Sequence, residues 1–155
     1  MKTVSYILCQ CTWGFLQTLL GFAFFLIHIG EKHFFYHGAV VTGWSYQNSA
    51  SLGLFLFLSD PQKSDKRQKE SSSGRNSPAG LSERLLIHEY GHAVQSLLLG
   101  PLYLPLMALP SALWCSLPCC KKKREREGIS YFSFFPEKWA DRLGEKALKK
   151  ACRRI

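Results

Sequence analysis

Between Thr3 and Gly30, and again between Tyr90 and Cys120, the chain contains no Asp, Glu, Lys or Arg. The apolar residues, 46% of the chain, are therefore gathered into two blocks instead of being spread evenly. Acidic residues are scarce, 11 against 20 Lys and Arg, and the net charge of +9 collects in Lys63 to Lys69, Lys121 to Arg126 and Lys146 to Arg154. Such clusters favour anionic surfaces. No nucleic-acid-binding motif accompanies them, and the middle cluster follows directly on the second uncharged block, so the expected acidic partner is an anionic membrane face and not nucleic acid. The six cysteines form no C-x-x-C pair, which argues against a zinc ribbon or a thioredoxin-type centre. They are expected to be reduced thiols packed as small apolar groups. No internal repeat occurs, and no small-residue cleavage site follows the first apolar block, which reads as a retained segment and not as a signal peptide.

A chain of 155 residues predicts one domain, 1–155. Residues 3–30 read as one long hydrophobic helix, which at about 1.5 Å per residue is long enough to cross a hydrocarbon core of about 30 Å. Gln10, Trp13, Gln17 and His28 leave a buried or interfacial helix open as well. "GAVVTGW" (38–44) and "SLGLFLFLS" (51–59) predict two strands of a hairpin or small sheet across the turn-rich "SYQNSA". Residues 59–80 have the composition of a disordered loop. A helix is expected over 81–99, capped by Ser77 or Ser82, with Glu83 in its first turn and Gly100-Pro101 as its stop. A last helix over 136–150 begins at Pro136, a residue favoured at the first helical position. The implied class is α+β.

The helix over 81–99 carries "HEYGH". Positions four apart lie one turn above each other, so His88 and His92 project from one face and can offer ring nitrogens to one ion at about 2.0–2.1 Å. Glu89, next to the first of them, is placed to take a proton from water. The pattern alone fits equally a helix whose histidines are simply hydrogen-bonded. Near the C-terminus "PEKWADRLG" adds Glu137 and Asp141, again four apart, so that one carboxylate can ligate while the other holds a histidine from behind. His33 and His37 share the spacing but have no such carboxylate pair, and read as solvated or capping histidines. Tyr131 or Tyr103 could supply a hydroxyl to a developing oxyanion, although aromatic packing explains either. Gly91, at a helical position where it costs roughly 1 kcal/mol against Ala, points to a need for space beside His92 or to close helix packing.

These residues resemble the thermolysin-like gluzincins, in which H-E-x-x-H is followed by E-x-x-x-D on a later helix. The resemblance implies one Zn2+ held by His88, His92 and Glu137, with Asp141 orienting a histidine and Glu89 acting as general base and then as acid to the leaving amine. It also implies a peptide or protein substrate, and "SLGLFLF" resembles the edge strand on which gluzincins lay an extended peptide. A broader resemblance runs over nearly the whole chain, to small bacterial proteins of zinc-metallopeptidase type. It is carried in order by "WGFLQTLLGF", "YHGAVVTGW", "SLGLFLF", "HEYGHAVQS", "LGPLYLP", "LPS" and "EKWADRLG". What it implies is a small zincin-like metallopeptidase domain with a hydrophobic N-terminal helix, a short sheet, an active-site helix, an apolar insertion and a C-terminal ligand helix. The rival is a membrane-associated scaffold or adaptor whose zinc site is structural or vestigial.

A straight membrane span over 97–120 would put His92 and Glu137 on opposite sides of the bilayer, some 30 Å apart, so a shared ion requires the chain to double back. Pro101, Pro105, Pro110 and Pro118 interrupt continuous helix, and Pro110-Ser111 is the expected turn between two arms of about ten residues each, making 100–120 a re-entrant or interfacial segment. The basic run Lys121 to Arg126 would then rest on anionic headgroups at the cytoplasmic face.

Overall fold

A computed structural model describes residues 3–46, 48–60 and 83–150. The expected loop from 61 to 80, the caps Ser77 and Ser82, and Cys152 lie outside the described residues. The fold is α+β. Two helices, α1 (Thr3–Thr12) and α2 (Phe15–Ile27), precede four strands, β1 (Lys32–Tyr36), β2 (Ala39–Trp44), β3 (Ala50–Leu52) and β4 (Phe55–Ser59). Four helices follow: α3 (Glu83–Leu99), α4 (Leu109–Ser116), α5 (Pro118–Glu127) and α6 (Phe135–Leu148).

The sheet has the order β1-β2-β4-β3. β1 and β2 form an antiparallel hairpin around His37, at φ 48, and Gly38. β2 and β4 run parallel, and β3 turns back antiparallel on β4. One expectation is narrowed here and one corrected. Of the hairpin and the small sheet expected from 38–44 and 51–59, the small sheet is found and the hairpin is not, and 51–59 is two strands bent at Gly53, so that β4 lies inside the sheet and β3 forms one of its two edges, β1 the other. The reason is burial on both faces, since successive side chains point to opposite sides of a strand. Val41, Leu56 and Leu58 meet Tyr6 of α1 and Leu86, Tyr90 and Ala93 of α3. Trp44, Phe55 and Phe57 meet Phe25 of α2 on the other face.

The first apolar block is not one helix. α1 and α2 bend by 97° at Trp13-Gly14, and among the described residues no single helix is long and apolar enough to cross a membrane. Buried amides hold the bend against α3. Gln10 donates to Ala93 O at 3.0 Å, Gln17 donates to Ser96 Oγ at 2.9 Å and Gly100 O at 3.0 Å, and Ser96 donates back to Gln10 Oε1. These contacts tie both sides of the corner to α3, and a Cβ at Gly14 would stand 2.4 Å from Gln10 Oε1. Replacing Gln17 by Leu strands two buried partners and should cost about 1–3 kcal/mol, read as a fall in the chemical-denaturation midpoint with an unchanged slope. Full stability in that variant would show that the network does not hold the corner.

The second block doubles back, though not at Pro110-Ser111. After α3 the chain makes a 3-10 turn (Gly100–Leu102), then a π-helical turn (Leu104–Ala108) that runs directly into α4, with an overall bend of 119°. Gly100, at φ 54, begins the reversal, and Leu117, extended at ψ 129, makes the second corner into α5. Pro110 lies within the first turn of α4 because the wider π turn before it accommodates a residue that has no N–H to donate. The basic helix α5 is exposed along most of its length. Arg124 is the exception, stacking over Trp114 and Tyr131 and donating to the Trp114 carbonyl, so it braces the insertion and does not face outward. The five described cysteines are free thiols, with Cys9, Cys11 and Cys119 exposed and not packed as small apolar groups.

Candidate metal centre

The site is built where α3 crosses α6. A Cβ at Gly91 would stand 1.9 Å from Ala140 O, and one at Gly144 would stand 2.1 Å from Ile87 O, so two glycines let the helix backbones touch. Close packing, and not room beside His92, therefore accounts for Gly91. The contact sets the histidines of α3 against the carboxylates of α6, and all four side chains are buried.

His88 Nε2 lies 3.0 Å and His92 Nε2 3.5 Å from Glu137 Oε2, and one donor atom from each of the three residues falls within 4.8 Å of the others. Two ligand atoms about 2.0 Å from one tetrahedral ion stand about 3.3 Å apart, and the two histidine–carboxylate separations match that value. Each of the three side chains is held from behind. His88 Nδ1 donates to Asp141 Oδ1 at 2.7 Å, His92 Nδ1 donates to Gln95 Oε1 at 2.8 Å, and Glu137 Oε1 accepts from Ser111 of α4. Gln95 is itself held by Pro136 O at 2.8 Å. With Nδ1 committed to Asp141 and Gln95, both Nε2 atoms point toward Glu137, the orientation that a shared cation would need once it replaces the Nε2 protons.

The electrostatics couple His88 to Glu137. Burial disfavours a charged His88, but its hydrogen bonds to Asp141 and Glu137, with the charges of Glu89 and Glu137, outweigh it and push its pKa up to about 10. Burial likewise works against the Glu137 carboxylate, yet hydrogen bonds from His88, His92 and Ser111 hold its pKa well below the usual range. Glu89 differs. Burial raises its pKa, the histidine charges only partly oppose this, and its Oε2 has no hydrogen-bond partner among the described residues. A buried carboxylate oxygen with unused acceptor capacity is where a water or reacting proton fits.

The site opens into a cleft of about 680 Å³, bordered by Asn48 to Leu52 around β3, by Ser111 and Cys115 of α4, and by Tyr131 and Phe132. Tyr131 reaches this cleft, its hydroxyl 3.1 Å from Ser111 Oγ, and burial with the nearby Glu137 charge raises its pKa, keeping it a neutral donor. Tyr103 also borders the cleft, but its hydroxyl donates to Ser51 O at 3.2 Å, which makes it a brace between the insertion and β3. His33 lies elsewhere, with its ring nitrogens at Thr42 Oγ1 and Ile29 O, and no metal-type cluster includes it or His37 among the described residues. Sequence reasoning passed over Gln95, Ser111 and Gly144. Gln95 was accessible in principle, being one turn beyond His92, whereas Ser111 depends on how the insertion folds back. Comparisons of the chain with protein-family models, with curated proteins and with solved structures found no match.

Proposed function

We propose that the protein is a zinc-dependent peptidase. The observation that carries this reading is the convergence of His88, His92 and Glu137 Oε2, from two helices far apart in sequence, beside the buried Glu89 carboxylate. The donor set, two imidazoles and one carboxylate, suits zinc, and His88, Glu89 and His92 line the cleft, through which water and substrate would reach it. Zinc bound there would supply Lewis acidity toward water and a substrate carbonyl. Glu89 takes the proton from the attacking water and delivers it to the leaving amine. Asp141 and Gln95 keep both imidazoles oriented, Ser111 keeps Glu137 oriented, and the Tyr131 hydroxyl, which borders the cleft, would donate to a developing oxyanion. Asn48 to Leu52 border the cleft and offer an extended peptide the edge of the sheet, although the Ser51 carbonyl is already taken by Tyr103.

Two measurements test the proposal. Purified protein titrated with zinc should hold close to one ion per chain, and Asp141→Ala should weaken that binding by about 10–100-fold by releasing His88. The zinc-loaded protein should cleave members of a broad peptide library and lose that activity to a chelator. A folded chain that takes up no zinc removes the centre, and one that holds zinc but cleaves nothing leaves the centre structural.

A further inference from the structure

The helices of the two apolar blocks have inverted polarity. α2 buries Gln17, Thr18 and Gly21, while Leu16, Leu19, Leu20, Phe22, Leu26 and Ile27 stand between 42% and 74% exposed. The insertion repeats the pattern, with Ala108, Ser111 and Cys115 lining the cleft and Leu106, Leu109 and Leu113 facing outward. In water, apolar burial drives the opposite arrangement, as it does in the sheet core of this chain. Polar and small residues inward with leucines outward is the arrangement of helices whose outer solvent is hydrocarbon. The two surfaces meet where Trp13, itself 56% exposed, lies against Gly100 at the start of the insertion.

We infer that these outward faces form one docking surface for an anionic lipid bilayer, which enters a single leaflet while α5 rests on the headgroups. Charge complementarity selects lipid over a protein partner. The outward leucines of α4 end at Leu117, and one turn later Lys121, Lys122 and Lys123 stand exposed on α5. That order, hydrocarbon contact and then cationic contact, follows the profile of a bilayer surface. A single leaflet follows from the bends, because the 97° and 119° corners turn each apolar helix pair back before either reaches spanning length. The inference stands apart from the peptidase reading, since none of its outward-facing residues contributes a donor to the metal centre.

The test uses the full chain and vesicles of phosphatidylcholine with or without phosphatidylglycerol. The chain should float with both, at least about tenfold more strongly with the anionic lipid at low salt, and the difference should shrink in high salt. Changing Leu106, Leu109 and Leu113 together to Gln should reduce binding by about a hundredfold or more with the thermal melt unchanged, because these side chains are outside the core. Lys121→Glu, Lys122→Glu and Lys123→Glu combined should abolish the anionic preference and leave the residual binding. Lipids brominated near the headgroup end of the chain should quench Trp13 more than lipids brominated at the chain end, the Trp13→Phe variant supplying the background. A folded chain that ignores both vesicles, or a discrete dimer in which the three leucines are protected without lipid, overturns the docking surface. Stronger quenching from the chain ends overturns its confinement to one leaflet.

Discussion

Glu89→Gln should bind zinc as the parent does and lower kcat by about 10²–10⁴-fold, the usual contribution of a positioned general base. The substitution keeps the shape of the side chain and removes only its capacity to accept a proton. Fold and metal content should survive, because Glu89 supplies none of the three converging donor atoms and its buried Oε2 makes no hydrogen bond among the described residues. A neutral amide also relieves the desolvation that raises the carboxyl pKa, so stability should hold or rise slightly. Zinc content, thermal melting and turnover measured on the same preparation separate the possibilities. Unchanged turnover would exclude Glu89 as the base, and loss of zinc would mean that the ligand set is wrongly assigned.

Gly91→Ala should be the most damaging single-methyl change in the described fold. Helix propensity favours Ala by roughly 1 kcal/mol, but the added Cβ would lie 1.9 Å from Ala140 O, and the atom it meets is backbone. α3 and α6 must separate, and overpacking of this kind costs about 1–3 kcal/mol and occasionally more, enough to outweigh the propensity gain. A net loss of about 2 kcal/mol lowers the melting temperature by roughly 4–8 °C in a chain of this size. The same separation pulls Glu137 and Asp141 away from the histidines, so zinc affinity should fall with stability. Gly30→Ala is the control, since a Cβ there meets nothing within 4 Å. Equal stability of the two variants would mean that the helices do not meet as described.

The residues of the candidate centre were legible because their geometry is local in pairs. A spacing of four on a helix puts His88 above His92, and Glu137 above Asp141, wherever the two helices lie. Elements governed by distant partners were not. Thr3 to Gly30 is apolar enough to suggest one span, whereas the chain bends at Gly14 and the corner is held by contacts of Gln10 and Gln17 with α3. β1 was missed because "KHFFY" has neither the composition of a core strand nor two-sided burial. The sequence left a hairpin and a small sheet both open for β2 and β4, and the two-faced burial of these strands is satisfied by parallel neighbours under α2 and α3.

The sequence by itself determined the α+β class and the helix pair that carries His88, His92, Glu137 and Asp141, because both follow from local periodicity, and it required residues 100–120 to double back on the premise of a shared ion. Only the tertiary structure decided where the reversals fall, which glycines bring α3 and α6 together, and that Gln95 and Ser111 hold His92 and Glu137. Those outcomes depend on backbone contacts and buried polar partners between segments distant in sequence, and periodicity within one segment carries no information about the partner it will meet.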